Sequence, residues 1–160
     1  MQPPRSDALV LFGASGDLSH KKIFPALYAM VKRGTLKEPV IGVSLDDWTD
    51  DKLRARARDG IQKSVGKIDD RVFERLAGLL SYVSGDYRDQ ATFEKLRQAL
   101  ERKSRPLYYL AVPPSMFEPV IQGLEQAEIA GNARLMVEKP FGRDLASARW
   151  LNRVLHLVFD

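Results

Sequence analysis

Ala8-Leu9-Val10-Leu11-Phe12-Gly13-Ala14-Ser15-Gly16-Asp17-Leu18 is the stretch on which the fold turns. Five unbroken apolar residues read as a strand buried on both faces, and the glycines behind them as a tight turn. Beyond the turn, Ile23, Leu27, Met30 and Val31 recur at helical spacing, and Gly34 supplies a left-handed stop. A buried strand, a glycine turn and an amphipathic helix open a βαβ unit, because a parallel partner strand needs the helix as its crossover.

The alternation continues along the chain. Val40-Ile41-Gly42-Val43 is a second strand, after which Trp48 precedes a Thr49 N-cap and Leu53, a hydrophobic-staple pattern. Leu53, Ala57 and Ile61 share a face, and Asp69/Asp70 cap a further stretch carrying Val72, Phe73, Leu76, Leu79 and Leu80, so two helices are expected between strands two and three. Ser81-Tyr82-Val83-Ser84 is the third strand, followed by Gly85-Asp86 and a helix with Phe93, Leu96 and Leu100 inward. Pro106 to Val112 is the fourth, stopped by Pro113-Pro114. Ser115 with Glu118 reads as a capping box for a helix of Val120, Ile121 and Leu124, with Pro119 in its first turn and Gly131-Asn132 at its end. Ala133 to Val137 is the fifth strand; after Glu138-Lys139-Pro140-Phe141-Gly142, an Asp144-capped helix carries Leu145, Ala148, Leu151 and Leu155. The pattern predicts a doubly wound α/β fold, a Rossmann-type parallel sheet with helices on both faces.

Composition suits that reading. The chain has 160 residues, 44% hydrophobic and 29% charged, enough for one domain; at this size about 70% of the unfolded surface is buried without staples. The absence of cysteine excludes a disulfide framework and thiolate chemistry. The apolar runs fall far short of the roughly 20 residues of a membrane helix. Met1-Gln2-Pro3-Pro4-Arg5 is not read as a secretory signal, and the cytoplasm is the expected compartment. Lys+Arg 25 against Asp+Glu 21 gives a net charge of +4, scattered singly or in pairs. That distribution argues against nucleic acid and suits a phosphate-bearing small molecule. No metal site is assigned.

In open α/β sheets, ligands sit beyond the carboxyl ends of the strands. The first such loop, Gly13 to Leu18, offers backbone amides and a positive helix end to a pyrophosphate, although Ser15 and Leu18 replace the second and third glycines of the fuller fingerprint and a plain turn is the alternative. Lys22, one turn on, is placed so that its ammonium could reach the crevice and a sugar phosphate, with a solvated helix face as the usual alternative, whereas His20 is expected to be an exposed neighbour. The second loop, Ser44-Leu45-Asp46-Asp47, is acidic. A carboxylate there accepts both ribose hydroxyls, but a dianionic phosphate about 5 Å away meets repulsion of order 1 to several kcal/mol; otherwise the aspartates merely flank the Thr49 cap. Val112-Pro113-Pro114-Ser115 is either structural punctuation, its prolines fixing a bend, or an apolar edge at the place where a nicotinamide would lie. Lys139, directly after a buried strand, is read as a donor to a substrate hydroxyl or phosphate, with a Glu138–Lys139 surface pair as the alternative; Pro140 fixes its direction and leaves cis or trans open.

Gly13-Ala14-Ser15-Gly16-Asp17-Leu18-Ser19-His20-Lys21-Lys22 resembles the glucose-6-phosphate dehydrogenase pattern G-x-x-G-D-L-x-x-x-K, and Pro25 extends the match. Val112-Pro113-Pro114 and Glu138-Lys139-Pro140-Phe141-Gly142-Arg143-Asp144-Leu145 resemble two further motifs in the same order, so the likeness covers nearly the whole chain. It implies oxidation of glucose 6-phosphate at C1 to a lactone, with hydride passing to nicotinamide and a proton to a histidine base. It further implies Gly13, Ala14, Ser15, Gly16, Asp17 and Leu18 around the pyrophosphate, Leu45 and Asp46 at the ribose, and Asp86 and Tyr87 near the adenosine. Ala111, Val112, Pro113 and Glu138 would flank nicotinamide; Lys22 and Lys139 would contact sugar and cofactor, Lys139 as the positioning group for catalysis.

Two departures accompany the resemblance. NADP-preferring relatives place an arginine after strand two, where this chain has Leu45-Asp46-Asp47, so NAD or dual use is expected beside NADP, with Ser15 or a lysine outside the loop as the remaining phosphate contact. The family's R-I-D-H-Y-L-G-K segment is expected shortly after Asp160 and its base later, and neither His20 nor His156 matches that base. Residues 1–160 are therefore expected to form a cofactor domain inactive by itself, with a substrate and dimerisation domain beyond it that makes the full-length protein a homo-oligomer. The alternatives are the glucose–fructose oxidoreductase and inositol dehydrogenase group, which shares Glu-Lys-Pro but carries the fuller glycine fingerprint, and a noncatalytic dinucleotide-binding module.

Overall fold

The structure is a computed structural model that describes residues 6–101, 103 and 105–137. Five parallel strands, β1 (Ala8–Phe12), β2 (Val40–Ser44), β3 (Leu80–Ser84), β4 (Pro106–Leu110) and β5 (Arg134–Val137), lie in the order β3-β2-β1-β4-β5. The helices are α1 (Phe24–Arg33), α2 (Asp50–Val65), α3 (Asp70–Leu79), α4 (Gln90–Leu100) and α5 (Phe117–Gln126). The doubly wound sheet and the two helices between β2 and β3 are as the pattern predicts.

Strand alternation divides the core in two. Leu9 and Leu11 of β1, with Leu107 and Tyr109 of β4, pack against Leu27, Leu53, Ala57 and Leu76 of α1, α2 and α3. Ala8, Val10 and Phe12, with Tyr108 and Leu110, pack against Phe93, Leu96, Val120 and Leu124 of α4 and α5. Because both faces of β1 are covered, its residues are all buried, which explains the unbroken apolar run.

Caps readable from neighbouring residues form. Thr49 Oγ1 accepts from Lys52 N at the start of α2, Asp69 Oδ1 accepts from Arg71 N at the start of α3, and Gly34 closes α1 in the left-handed region. Other boundaries differ from expectation. The Ser115–Glu118 capping box does not form: Pro114–Met116 make a 3-10 turn, and α5 starts behind it at Phe117 with no side-chain cap. The helix also ends before Gly131-Asn132, because Glu128 takes φ 61° and Ile129 N reaches back to Leu124 O. Tyr108 anchors that reversal by donating to Ile129 O. β4 stops at Leu110 rather than Val112, and β5 starts at Arg134 rather than Ala133. Trp48 also lies against Tyr82, with ring centroids 6.0 Å apart and the planes tilted by 34°.

Candidate functional site

The chain leaves β1 toward β2 and β3 on one side of the sheet and continues from β4 to β5 on the other. The crevice between these diverging loops is where such sheets bind ligands. Gly13 stands at its floor with φ 86°, and a Cβ there would lie 2.1 Å from Ala111 O. Only a glycine lets the loop after β1 pass this close to the end of β4.

Three loops are tied together at this point. Gly13 N donates to Val43 O at 2.9 Å and to Tyr87 Oη at 2.8 Å, while the Tyr87 hydroxyl donates to Val43 O at 3.0 Å. Ser15 N donates to Ser44 Oγ at 3.1 Å, and Gly16 N to Gly13 O at 3.0 Å. Burial pushes the Tyr87 phenol up, outweighing the opposite pull of Ser44 and Gly13, so it remains a protonated donor at neutral pH. Ala14 N makes a long bond of 3.4 Å to Val43 O.

The amides of Gly13, Ala14, Ser15 and Gly16 thus shape the turn. Those of Asp17, Leu18 and Ser19, at the positive start of the following helix, have no hydrogen-bond partner among the described residues. Of the expected pyrophosphate amides, those of Asp17 and Leu18 are unpaired on residues that keep exposed surface, whereas Ser19 is buried.

The acidic loop is fixed through its backbone. Asp46 O accepts from Trp48 N at 2.9 Å, Tyr82 Oη at 2.6 Å and Ser84 Oγ at 3.0 Å, while Leu45, Asp46 and Asp47 stay exposed. Burial raises the Tyr82 phenol as well, and the Asp46 charge adds to the rise in both tyrosines. Gly85 N donates to Ser44 O at 2.9 Å, joining the ends of β2 and β3. Asp86 is exposed, and its carboxylate accepts Arg88 N in its own turn. Ala111 and Val112 are half-buried at the crevice edge, and Pro113 is exposed.

Lys22 lies on a wide turn of helix, Ser19–Ile23, in which Phe24 N bonds Ser19 O five residues back. The sequence cause is Pro25: it has no amide to give Lys21 O, and its ring would crowd that carbonyl in a regular helix. The same turn overturns the expectation for His20. It is buried rather than exposed, and its Nε2 lies 2.6 Å from Asp59 Oδ2 on α2. The approach depends on Gly60, where a Cβ would stand 2.0 Å from His20 O.

Arg56 on α2 reaches the glycine turn, although no motif marks it. Its Nη2 lies 3.5 Å from Ser15 O and 3.7 Å from Asp17 Oδ1, and its Nε is buried without a hydrogen-bond partner among the described residues. The only sequence signal is helical phase, three residues after the buried Leu53. Ser44 opens the second of the loops singled out above, but its bond to Ser15 N was not foreseen. Glu138, Lys139, Pro140, the Asp144-capped helix and His156 lie outside the described residues. Among the described residues no three metal-ligating side chains cluster, and no helix is long and apolar enough to cross a membrane.

The class follows from where these groups meet, since a positive helix end opening on the switch point of a doubly wound sheet is the arrangement of dinucleotide-binding domains. The chain's own residues fit that ligand: the glycine turn packs against the end of β4, the unpaired amides of Asp17 and Leu18 open the following helix, and the Arg56 guanidinium lies beside Ser15 and Asp17. The profile described as "Glucose-6-phosphate dehydrogenase, NAD binding domain" matches residues 10–160, and the chain belongs to the glucose-6-phosphate dehydrogenase family. Glucose-6-phosphate 1-dehydrogenase 1 of Mycobacterium tuberculosis is 45% identical over 153 residues, covering 96% of this chain and 33% of that relative. The crystal structure of glucose-6-phosphate 1-dehydrogenase from Mycobacterium avium superposes with a TM-score of 0.83 at 49% identity, over 98% of this chain and 34% of that one. A glucose-6-phosphate dehydrogenase in complex with glucose 6-phosphate superposes with a TM-score of 0.74 at 31% identity, over 99% and 36%. The chain therefore spans about a third of the length of the relatives it matches.

Proposed function

We propose that residues 1–160 are the NAD(P)-binding part of a dehydrogenase that oxidises glucose 6-phosphate at C1 to the lactone. The observation that carries this reading is the junction at Gly13, where the family's glycine turn, the end of β4 and Tyr87 converge beside the unpaired amides of Asp17 and Leu18. Bound nicotinamide supplies the hydride acceptor. The chain's residues bind and orient: the helix start faces the pyrophosphate, Asp46 borders the ribose, and Ala111, Val112 and Pro113 form an edge that keeps water from the nicotinamide face. Glu138 stands on the same side in this reading. Lys22 and Lys139 supply the ammonium groups that hold the sugar and its phosphate, with Lys139 setting the reacting carbon against the cofactor. In this reading, self-association and the proton-accepting base are supplied from outside residues 1–160. The cytoplasm is the compartment assigned, since both reactants are charged molecules that membranes retain.

The test is a titration of the full-length protein with NADP and with NAD. It is followed by fluorescence of Trp48, which sits half-buried beside Asp46, with Trp48→Phe identifying the signal. Saturable quenching, followed by glucose 6-phosphate-dependent appearance of reduced nicotinamide, is expected. Turnover of inositols or unphosphorylated sugars with none of glucose 6-phosphate would move the chain to the alternative oxidoreductase group. Binding without turnover of any sugar would identify a noncatalytic module.

A further inference from the structure

Resting on the dinucleotide reading above, we propose that Arg56 of α2 receives the 2′-phosphate of NADP, filling the role of the cation that the loop after β2 lacks. Leu45, Asp46 and Asp47 offer that phosphate no positive partner, and two of them repel it. A 2′-phosphate requires a fixed cation at the edge where the ribose is read. Here that edge is the contact between Ser15 N and Ser44 Oγ. Arg56 reaches the other side of the same residue, with Nη2 3.5 Å from Ser15 O.

The neighbouring cations of α2 are committed elsewhere. Arg54 donates to Ala77 O and Leu80 O and pairs with Asp51. Arg58 pairs with Asp70 at 2.8 Å and lies over the Phe73 ring. Lys52 Nζ sits 6.0 Å from the centroid of Trp48. Arg56, its side chain 31% exposed, makes among the described residues only the long contacts of Nη2 with Ser15 O and Asp17 Oδ1. Its ion pair with Asp17 is 3.7 Å long, and that carboxylate is 85% exposed, so the pair is loose and water-screened. A phosphate offers the guanidinium two oxygens at about 2.7–2.9 Å, a geometry that replaces the loose pair rather than breaking a strong one. The opposing charges, Asp46 and Asp47 on the second loop and Asp17 on the first, temper the gain. Use of both dinucleotides, rather than strict NADP dependence, is the consequence.

The experiment measures dissociation constants by calorimetry for NADP, NAD, adenosine 2′,5′-bisphosphate and adenosine 5′-monophosphate in the full-length protein. Arg56→Gln should weaken NADP and the bisphosphate by roughly tenfold or more, the scale of one charge-assisted pair, and leave NAD and the monophosphate within about twofold. Arg56→Lys, which keeps the charge but not the fork, should recover part of the loss. Lys52→Gln should leave the NADP-to-NAD ratio unchanged. Equal weakening of all four ligands would make Arg56 a clamp on the Ser15 turn and overturn the assignment. So would an unchanged ratio in Arg56→Gln, or a ratio that moves in Lys52→Gln instead. A parent protein that binds NAD but not NADP overturns the Arg56 role while leaving the dinucleotide reading intact. One that binds neither overturns both.

Discussion

At Gly13 the backbone stands at φ 86°, and the space a Cβ would need is already filled by Ala111 O. Gly16, three residues on, keeps ordinary φ, and its nearest obstacle would be Gly13 O at 3.3 Å. The two glycines of the motif are therefore unequal. Gly13→Ala should cost about 2 kcal/mol or more, from left-handed strain together with the clash. Gly16→Ala should stay within about 1 kcal/mol, since only a small adjustment of the turn is needed. Urea unfolding of the two variants checks the contrast; equal losses would show that the close approach to β4 does not constrain the turn. The need for glycine at the end of β1 was legible in the sequence. The reason at Gly13 was not, because Ala111 is brought there only by the pairing of β1 with β4.

The element that departs most from a regular pattern is the wide turn at Ser19–Ile23, which carries Lys21 and Lys22 and is pinned to α2 by His20 and Asp59. Lys63 Nζ joins the same carboxylate at 3.1 Å. The bond from His20, and then the one from Lys63, hold the Asp59 carboxyl below its ordinary value of 3.8. A folded value depressed below the unfolded one contributes stability that is fully present above the unfolded value and is lost as pH falls through the folded one. Asp59→Asn should therefore lower the Tm at neutral pH, and the gap to the parent should close as the pH is taken below 3.8. A gap that persists unchanged in acid would show that the carboxylate charge does not hold this turn. Pro25 announces an irregular helix in the sequence. The partner that braces the irregularity depends on how α1 and α2 cross, which no local pattern records.

Across the whole molecule, the core beneath α4 and α5 meets the site at Phe12. Its ring lies 5.7 Å from Tyr87 in an edge arrangement, 6.2 Å from Phe93 and 6.1 Å from Tyr108. The residue that ends the central strand thus supports the tyrosine that holds Gly13. Phe12→Ala should destabilise the fold by about 3–5 kcal/mol, as for other buried aromatic truncations. It should also weaken both dinucleotides together, because Tyr87 loses its packing while Arg56 and the second loop are untouched. Denaturant unfolding and the NADP-to-NAD affinity ratio provide the measurements. A changed ratio with unchanged stability would contradict this coupling of core to site.

Periodicity and cap chemistry act between residues close in sequence. The sequence alone therefore determined the alternation of strands and helices, the Thr49 and Asp69 caps, the Gly34 stop and the doubly wound class. The contacts that make the site specific join distant residues: His20 with Asp59, 39 apart, Ser15 with Arg56, 41 apart, and Gly13 with Tyr87, 74 apart. Only the tertiary structure decided these contacts. Strand order and the phase of each helix against the sheet select which side chains meet, and both are set by burying two apolar faces at once rather than by any short stretch of chain.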